Sequence, residues 1–283
     1  GRGQVFLRPT SLDELYAIKA EHRERAELVG GATEIGVYIN KHHRRYPLLV
    51  STEGVRELAR IEKDDDVWRV GGSATLTALE EALAGEYPMI DKMLWAFASR
   101  QIRNRATLAG NIVNASPIGD MPPILLVLDA SVVLEKQGAT RGERASRTVP
   151  IAEFFTAYRK TVIAPDEVVR WIVFPRNKPP ASGRRRMDSY KVSKRRELDI
   201  SIVAAAFVVD TDGEEKITHA RLAFGGVAAT PVRARKTESF LVGKRWDEDT
   251  VAAAMEILAN EFTPLDDHRS GAAYRRDLVA TLF

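Results

Sequence analysis

The chain contains no cysteine. Iron–sulfur clusters are held by cysteine thiolates, so these residues can ligate none. Histidine is scarce as well: there are 5, His22, His42, His43, His219 and His268. None has a second ligand three or four positions on, so no metal site is expected, and His42 and His43 read as part of a solvated face. No apolar run approaches the roughly 20 residues that span a bilayer, and no charged-then-apolar segment opens the sequence as a secretory signal would. A cytoplasmic location without membrane partners is the expectation, with the sequon Asn114-Ala115-Ser116 silent. The two familiar phosphate fingerprints are missing, since neither G-x-x-x-x-G-K-[ST] nor a strand-borne G-x-G-x-x-G occurs. Ser116 and Asp120 have no G-x-S-x-G elbow and no His partner, which removes a hydrolase reading and leaves no catalytic acid, base or nucleophile to assign.

What is present is ordinary for a globular protein: 283 residues, 45% hydrophobic and 29% charged. A chain of this length buries about three quarters of its unfolded surface, enough for one large or two modest domains. The net charge of +3 is concentrated in RNKPPASGRRRMDSYKVSKRR, Arg176 to Arg196. That stretch raises nucleic-acid binding as an alternative class of function, although no helix-turn-helix, zinc finger or aromatic RNA-binding signature accompanies it. Pro179, Pro180 and Gly183 mark residues 177–187 as a basic connector between a domain at 1–176 and another at 188–283. Within the first, strands are expected at Glu27–Val29, Leu48–Ser51, Val67–Gly71 and Ser131–Glu135, with helices at Leu12–Glu21 and Thr77–Leu83. After the connector, Ser201–Thr211 and Thr218–Gly225 read as a hairpin turning at Asp212-Gly213, and Asp247–Asn260 as an amphipathic helix.

Two segments carry chemistry. FASRQIRNRATLAGNIVNASPIGDMPP, Phe97 to Pro123, begins with Arg100, Arg103 and Arg105 and then runs uncharged from Ala106 to Gly119 while keeping Thr107, Gly110, Asn111, Asn114, Ser116 and Gly119. Glycine lets backbone N–H groups approach an anion, Thr, Ser and Asn add neutral donors, and the arginines would supply a positive field. Asp120 adds a carboxylate suited to sugar hydroxyls. AELVGGATEIG, Ala26 to Gly36, reads as strand, tight turn and helix, with Thr33 near the N-cap and Gly30-Gly31 wrapping a ligand at the helix N-terminus. On that reading, Gly31→Val should impair ligand binding more than folding. Each segment alone also suits a plain turning loop.

Taken in order, LVGGATEIG, VGGSATLTALEEAL from Val70, the Phe97–Pro123 segment, FFTAYRKTVIAPDEVV from Phe154 and YKVSKRRELDIS from Tyr190 resemble the FAD-binding modules of the molybdenum hydroxylases. The wording is most similar to the xanthine dehydrogenase branch, and in particular to the small subunit of its bacterial two-subunit form. LAFGGVAATPVRARKTESFLVGK resembles the closing domain of that module. The resemblance implies an α+β fold: a two-lobed FAD-binding domain, with lobes at about 1–55 and 56–176, followed by a smaller α+β C-terminal domain. It also implies electron transfer from iron–sulfur clusters carried by other domains through FAD to NAD. Partners would be those iron–sulfur domains and a molybdenum-cofactor subunit, with nucleic acid not among them. A chain opening at Gly1 rather than Met is then expected to be a piece of a longer polypeptide, inactive on purines by itself.

The resemblance places residues too. Leu28, Val29, Gly30, Gly31, Ala32, Thr33, Glu34 and Ile35 would wrap the FAD diphosphate, and Thr107, Leu108, Ala109, Gly110 and Asn111 would form the second FAD loop. Asp120 would bind sugar, Phe97 and Val169 would flank the adenine, Lys191 would reach the isoalloxazine, and Arg159 would lie near NAD. Three departures stand out: Ala32 replaces an Asn of the animal enzymes, Ala109 a usual Gly, and Leu198 one of two adjacent acidic residues, leaving Asp199. The last puts the control of NAD access in doubt; the alternative reading is the flavin module of another molybdenum hydroxylase, such as an aldehyde or nicotinate oxidising enzyme, with oxygen or a quinone as acceptor.

Overall fold

The computed structural model describes residues 3–140, 142–196 and 198–283; Gly1 and Glu197 of the YKVSKRRELDIS motif lie outside the described residues. The chain opens with β1 (Val5–Leu7), α1 (Leu12–His22), β2 (Ala26–Val29), α2 (Ile35–His42) and β3 (Leu48–Ser51). These strands form a parallel sheet in the order β1-β3-β2, so both helices are crossovers. Ser11 caps α1 by accepting the Glu14 N–H, and Leu12, Leu15 and Tyr16, at helical spacing, are buried beneath it. Helix α2 is different: it buries none of its residues.

A second layer contains β4 (Ile61–Lys63), β5 (Val67–Gly71), α3 (Leu76–Leu83), α4 (Pro88–Ala96), α5 (Arg100–Arg103), α6 (Leu108–Val113), α7 (Met121–Val127), β6 (Ser131–Gln137), β7 (Arg144–Pro150), α8 (Ile151–Phe154), the hairpin β8 (Phe155–Ala157) and β9 (Lys160–Thr161), and β10 (Val168–Pro175). Its antiparallel sheet runs β4-β5-β10-β6-β7. Strand β10 is last in sequence but central in the sheet, which is why VVRWIVFP is almost continuously apolar.

The remainder is β11 (Arg184–Val192), β12 (Val203–Thr211), β13 (Ile217–Gly225), β14 (Val232–Arg233), α9 (Arg235–Leu241), α10 (Glu248–Ala259) and α11 (Ala272–Thr281), with the antiparallel order β11-β12-β13-β14. Every residue of β12 is buried, and its period of two assigns the burial. Val203, Ala205, Phe207 and Val209 pack into one core with the closing helices, while Ala206 and Val208 join the other, under fully buried α7. This is the two-part α+β architecture expected from the resemblance.

The basic connector is shorter than expected. Arg184 to Met187 already pair with β12, because a cross-strand carboxylate meets their charge: Arg185 binds Asp210 at 2.7 Å through both nitrogens, and Arg186 binds Glu215 at 2.7 Å. With Arg176 on Glu86 and Lys178 on Asp66, much of the stretch that suggested nucleic acid is neutralised within the fold.

Asp129, at the end of α7, ties the two parts together through Arg221 (3.0 Å) and Arg233 (3.0 Å). His219 lies beside this junction, 3.9 Å from both Asp129 and Asp210. Burial, and then the Arg221 charge, hold its pKa below the usual histidine value, against the pull of the two carboxylates. A lowered pKa means that the unfolded chain binds the proton more readily, so the His219 contribution is complete above about pH 6.5 and is lost as pH falls below it. Thermal unfolding should therefore show a smaller drop in Tm between about pH 7 and 5 in His219→Gln than in the parent protein. An equal drop would show that His219 contributes nothing to the acid sensitivity.

Candidate functional site

The turn after β2 begins where the ladder with β3 stops at Val29. Ala32 sits at φ +60, left-handed backbone in which alanine has no side-chain compensation and an asparagine would be more at ease. Thr33 falls one residue before the N-cap of α2, which is Glu34, and no side chain caps that helix. Among the described residues, no backbone N–H from Gly30 to Ile35 donates a hydrogen bond. A run of unpaired N–H groups along a turn into a helix is a concavity for an anion.

The second loop stands against the first. Thr107 caps α6, its hydroxyl accepting the Gly110 N–H at 2.9 Å. A Cβ on Gly31 would lie 1.7 Å from the Arg105 carbonyl oxygen, whereas one on Gly30 would meet Thr107 at 3.4 Å. Gly31 is therefore glycine so that the two loops can touch, and the expectation that its replacement would spare folding is corrected on that ground.

Both loops line one cavity of about 740 Å³, within the range of small-molecule sites. Leu28, Gly30, Gly31, Ala32, Thr33, Glu34, Ile35, Phe97, Thr107, Gly110, Asn111, Asp120, Arg159 and Lys191 all reach its wall. Val29, Leu108, Ala109 and Val169 do not; they are buried in the hydrophobic cores. Val169 in particular belongs to the central strand β10 and does not line this cavity. Leu198, exposed and at φ +55, lies on the wall beside Asp199.

At one end Asp120 accepts from Lys191 at 2.8 Å and from the Ser201 hydroxyl, with Lys191 and Asp120 side chains only 5% and 9% exposed. The Lys191 ammonium also lies 5.8 Å from the centre of the Phe97 ring. Phe97 and Lys191 thus stand side by side at one end of the cavity. At another wall Arg159, on the turn between β8 and β9 and at φ +53, donates to the Tyr38 hydroxyl at 2.9 Å, and Tyr38 donates to Glu34 at 2.9 Å. Burial, then the bond to Glu34, push the Tyr38 pKa up, so it stays a neutral donor.

Arg100, Arg103 and Arg105, expected to supply a positive field from nearby, do not line the wall and are each paired with other groups. Arg100 binds Glu80 and Glu81, Arg103 donates to the Phe97 carbonyl at 2.8 Å and lies 3.8 Å from Glu80, and Arg105 pairs with Glu53. The cations that do line the cavity, Lys41, Arg44 and Arg269 besides Arg159 and Lys191, escaped sequence reasoning. Glu34, Tyr38 and Lys41 follow helical spacing along α2, a signal that could have been used; nothing local pointed to Arg269.

The residues suit FAD on two counts. The free N–H run matches a diphosphate, and the buried Asn111 Oδ1 has no hydrogen-bond partner, an acceptor on the cavity wall suited to a ribityl hydroxyl. Among the described residues no cluster of His, Asp and Glu is placed to hold a metal ion, and no helix is long and apolar enough to cross a membrane.

Comparison with known proteins agrees with this geometry. Residues 2–177 match the FAD binding domain in molybdopterin dehydrogenase, and residues 188–283 match the CO dehydrogenase flavoprotein C-terminal domain. The chain is 35% identical, over its whole length, to a xanthine dehydrogenase of Calliphora vicina and covers 21% of that protein. To the nicotinate hydroxylase hnxS of Emericella nidulans it is also 35% identical, over 99% of this chain and 22% of the other. The chain thus spans about a fifth of the length of these relatives. Its fold superposes on a Cu,Mo-CO dehydrogenase structure in cyanide-inactivated form with a TM-score of 0.87 and 25% identity, covering 99% of this chain and 94% of that one. The chain therefore belongs to the family of FAD-binding domains of the molybdopterin dehydrogenases and is the flavin module of a molybdenum hydroxylase.

Proposed function

We propose that the chain is the electron-transfer module of a xanthine dehydrogenase-like enzyme, akin to the small subunit of the bacterial form, taking electrons from iron–sulfur domains outside this chain and delivering them through FAD to NAD. The observation that carries the reading is the single cavity walled by two loops, one of them offering a continuous run of unpaired backbone N–H groups. FAD supplies the two-electron chemistry when bound. The chain's part is to bind and orient it. The Gly30–Ile35 turn donates to the diphosphate, Asn111 accepts from the ribityl chain, and Thr107 fixes the second loop by capping α6. Tyr38 and Glu34 hold Arg159 at the rim, where its charge meets an anionic acceptor. The likeness to a nicotinate hydroxylase keeps a different substrate in view, and exposed Leu198 in place of a carboxylate keeps oxygen or a quinone as the alternative acceptor.

The desalted protein should be yellow, with flavin absorbance at one equivalent per chain. Titrated as apoprotein it should bind FAD more tightly than FMN by about tenfold or more, one lost charge-assisted contact being enough for that. Equal affinities would sink the two-loop assignment, since FMN lacks the diphosphate and adenosine.

A further inference from the structure

We propose that Arg269 is a phosphate-binding residue of the cavity, reaching a dinucleotide phosphate from the C-terminal domain; the inference rests on the flavin-module reading above. Residues 262–271, between α10 and α11, form no helix or strand, yet their turn is tightly held. Asp267 Oδ1 accepts the backbone N–H groups of Arg269 (2.8 Å) and Ser270 (3.1 Å), and the Asp267 N–H donates to the Ser270 carbonyl at 3.1 Å. Arg275 of α11 then fixes that carboxylate to the sheet. It lies 2.8 Å from Asp267, is 3% exposed, and donates to the carbonyls of Ile202 (3.0 Å) and Gly226 (2.7 Å). Ile202 follows Ser201, which binds Asp120, so the turn is anchored at the Lys191 end of the cavity.

This scaffold presents a guanidinium held only by one long ion pair. Arg269 lines the cavity with its side chain 26% exposed, and its nearest carboxylate is Asp267 at 3.8 Å. Among the described residues its guanidinium makes no hydrogen bond. Lys191 is spent on Asp120 and Arg159 on Tyr38, while Lys41 and Arg44 are exposed. A planar fork with five donors, positioned by a buried network and partly shielded from water, suits bidentate binding of a phosphate. The phosphate belongs either to FAD or to a second dinucleotide acting as acceptor.

The test uses Arg269→Gln and Arg269→Lys, with FAD and riboflavin titrated into apoprotein and NAD⁺ titrated calorimetrically into FAD-loaded protein. If the phosphate is that of FAD, R269Q raises the FAD Kd by about 10–100-fold, the worth of a charged hydrogen bond. Riboflavin, which has no phosphate, binds as before, and R269K recovers part of the loss because charge returns without the fork. If the phosphate is the acceptor's, FAD affinity holds and NAD⁺ affinity falls by a similar factor. Unchanged binding of FAD and NAD⁺ alike in folded R269Q overturns the proposal, with apoprotein circular dichroism reporting the fold; should R269Q not fold, R269K with unchanged affinities does the same. Failure of the unsubstituted chain to bind FAD would instead overturn the flavin-module reading and this inference with it.

Discussion

Gly31→Ala should cost about 3 kcal/mol or more of stability, and Gly31→Val more still, with flavin binding lost in both. The added Cβ would stand 1.7 Å from the Arg105 carbonyl oxygen and 2.8 Å from the Ala106 nitrogen. Both are backbone atoms, so no rotamer change relieves the overlap and the loop itself must move. That loop is not free to do so, since the Ala106 carbonyl accepts the Leu76 N–H at the start of α3 at 2.8 Å. Gly30→Ala is the control. Its Cβ would meet the Thr107 side chain at 3.4 and 3.5 Å, ordinary contact, so the change should stay within about 1 kcal/mol. Urea unfolding of the apoproteins separates the two, and comparable stabilities for G30A and G31A would show that the loops do not touch as described.

That contrast bears on what the sequence could reveal. Both glycines are legible as a turn before α2, but which of them is irreplaceable depends on a loop some seventy-five residues later in the chain. Elements with strong local patterns were readable to within a residue or two: β3, β5, α1 and the β12–β13 hairpin follow from period, caps and the Asp212-Gly213 turn. Central strand β10 was harder to read, because an apolar run does not say which of its residues faces a ligand; Val169, placed near the adenine by the resemblance alone, packs in the core. Charge misled for a related reason. Arg100, Arg103 and Arg105 look like an anion field in a line of text, yet their partners Glu80, Glu81 and Glu53 come from elements that only the fold brings near. The converse holds for Arg269, whose place on the cavity wall depends on buried Arg275 and two carbonyls from another part of the sheet.

The second large effect concerns Asp120. Asp120→Asn should destabilise the apoprotein by about 3–5 kcal/mol, because it leaves the Lys191 ammonium buried without its counter-charge. Lys191→Met should cost less, since the Ser201 hydroxyl still donates to the remaining carboxylate. In the double variant no buried charge is stranded, so its loss should fall short of the sum of the singles by about 1–3 kcal/mol. Urea unfolding of the four proteins gives that coupling directly, and simple additivity would mean that the pair at 2.8 Å is not formed in solution. The pairing also changes what Lys191 can do for a ligand. A free ammonium would stabilise negative charge on a reduced flavin, whereas an ammonium already neutralised by a carboxylate presents mainly a dipole, whose field falls away faster with distance. Lys191 and Asp120 therefore act on whatever occupies that end of the cavity as one unit. If so, the double variant should hold FAD with an affinity near that of the parent, while D120N, left with a stranded positive charge, and K191M, left with a stranded negative one, should depart from it in opposite directions.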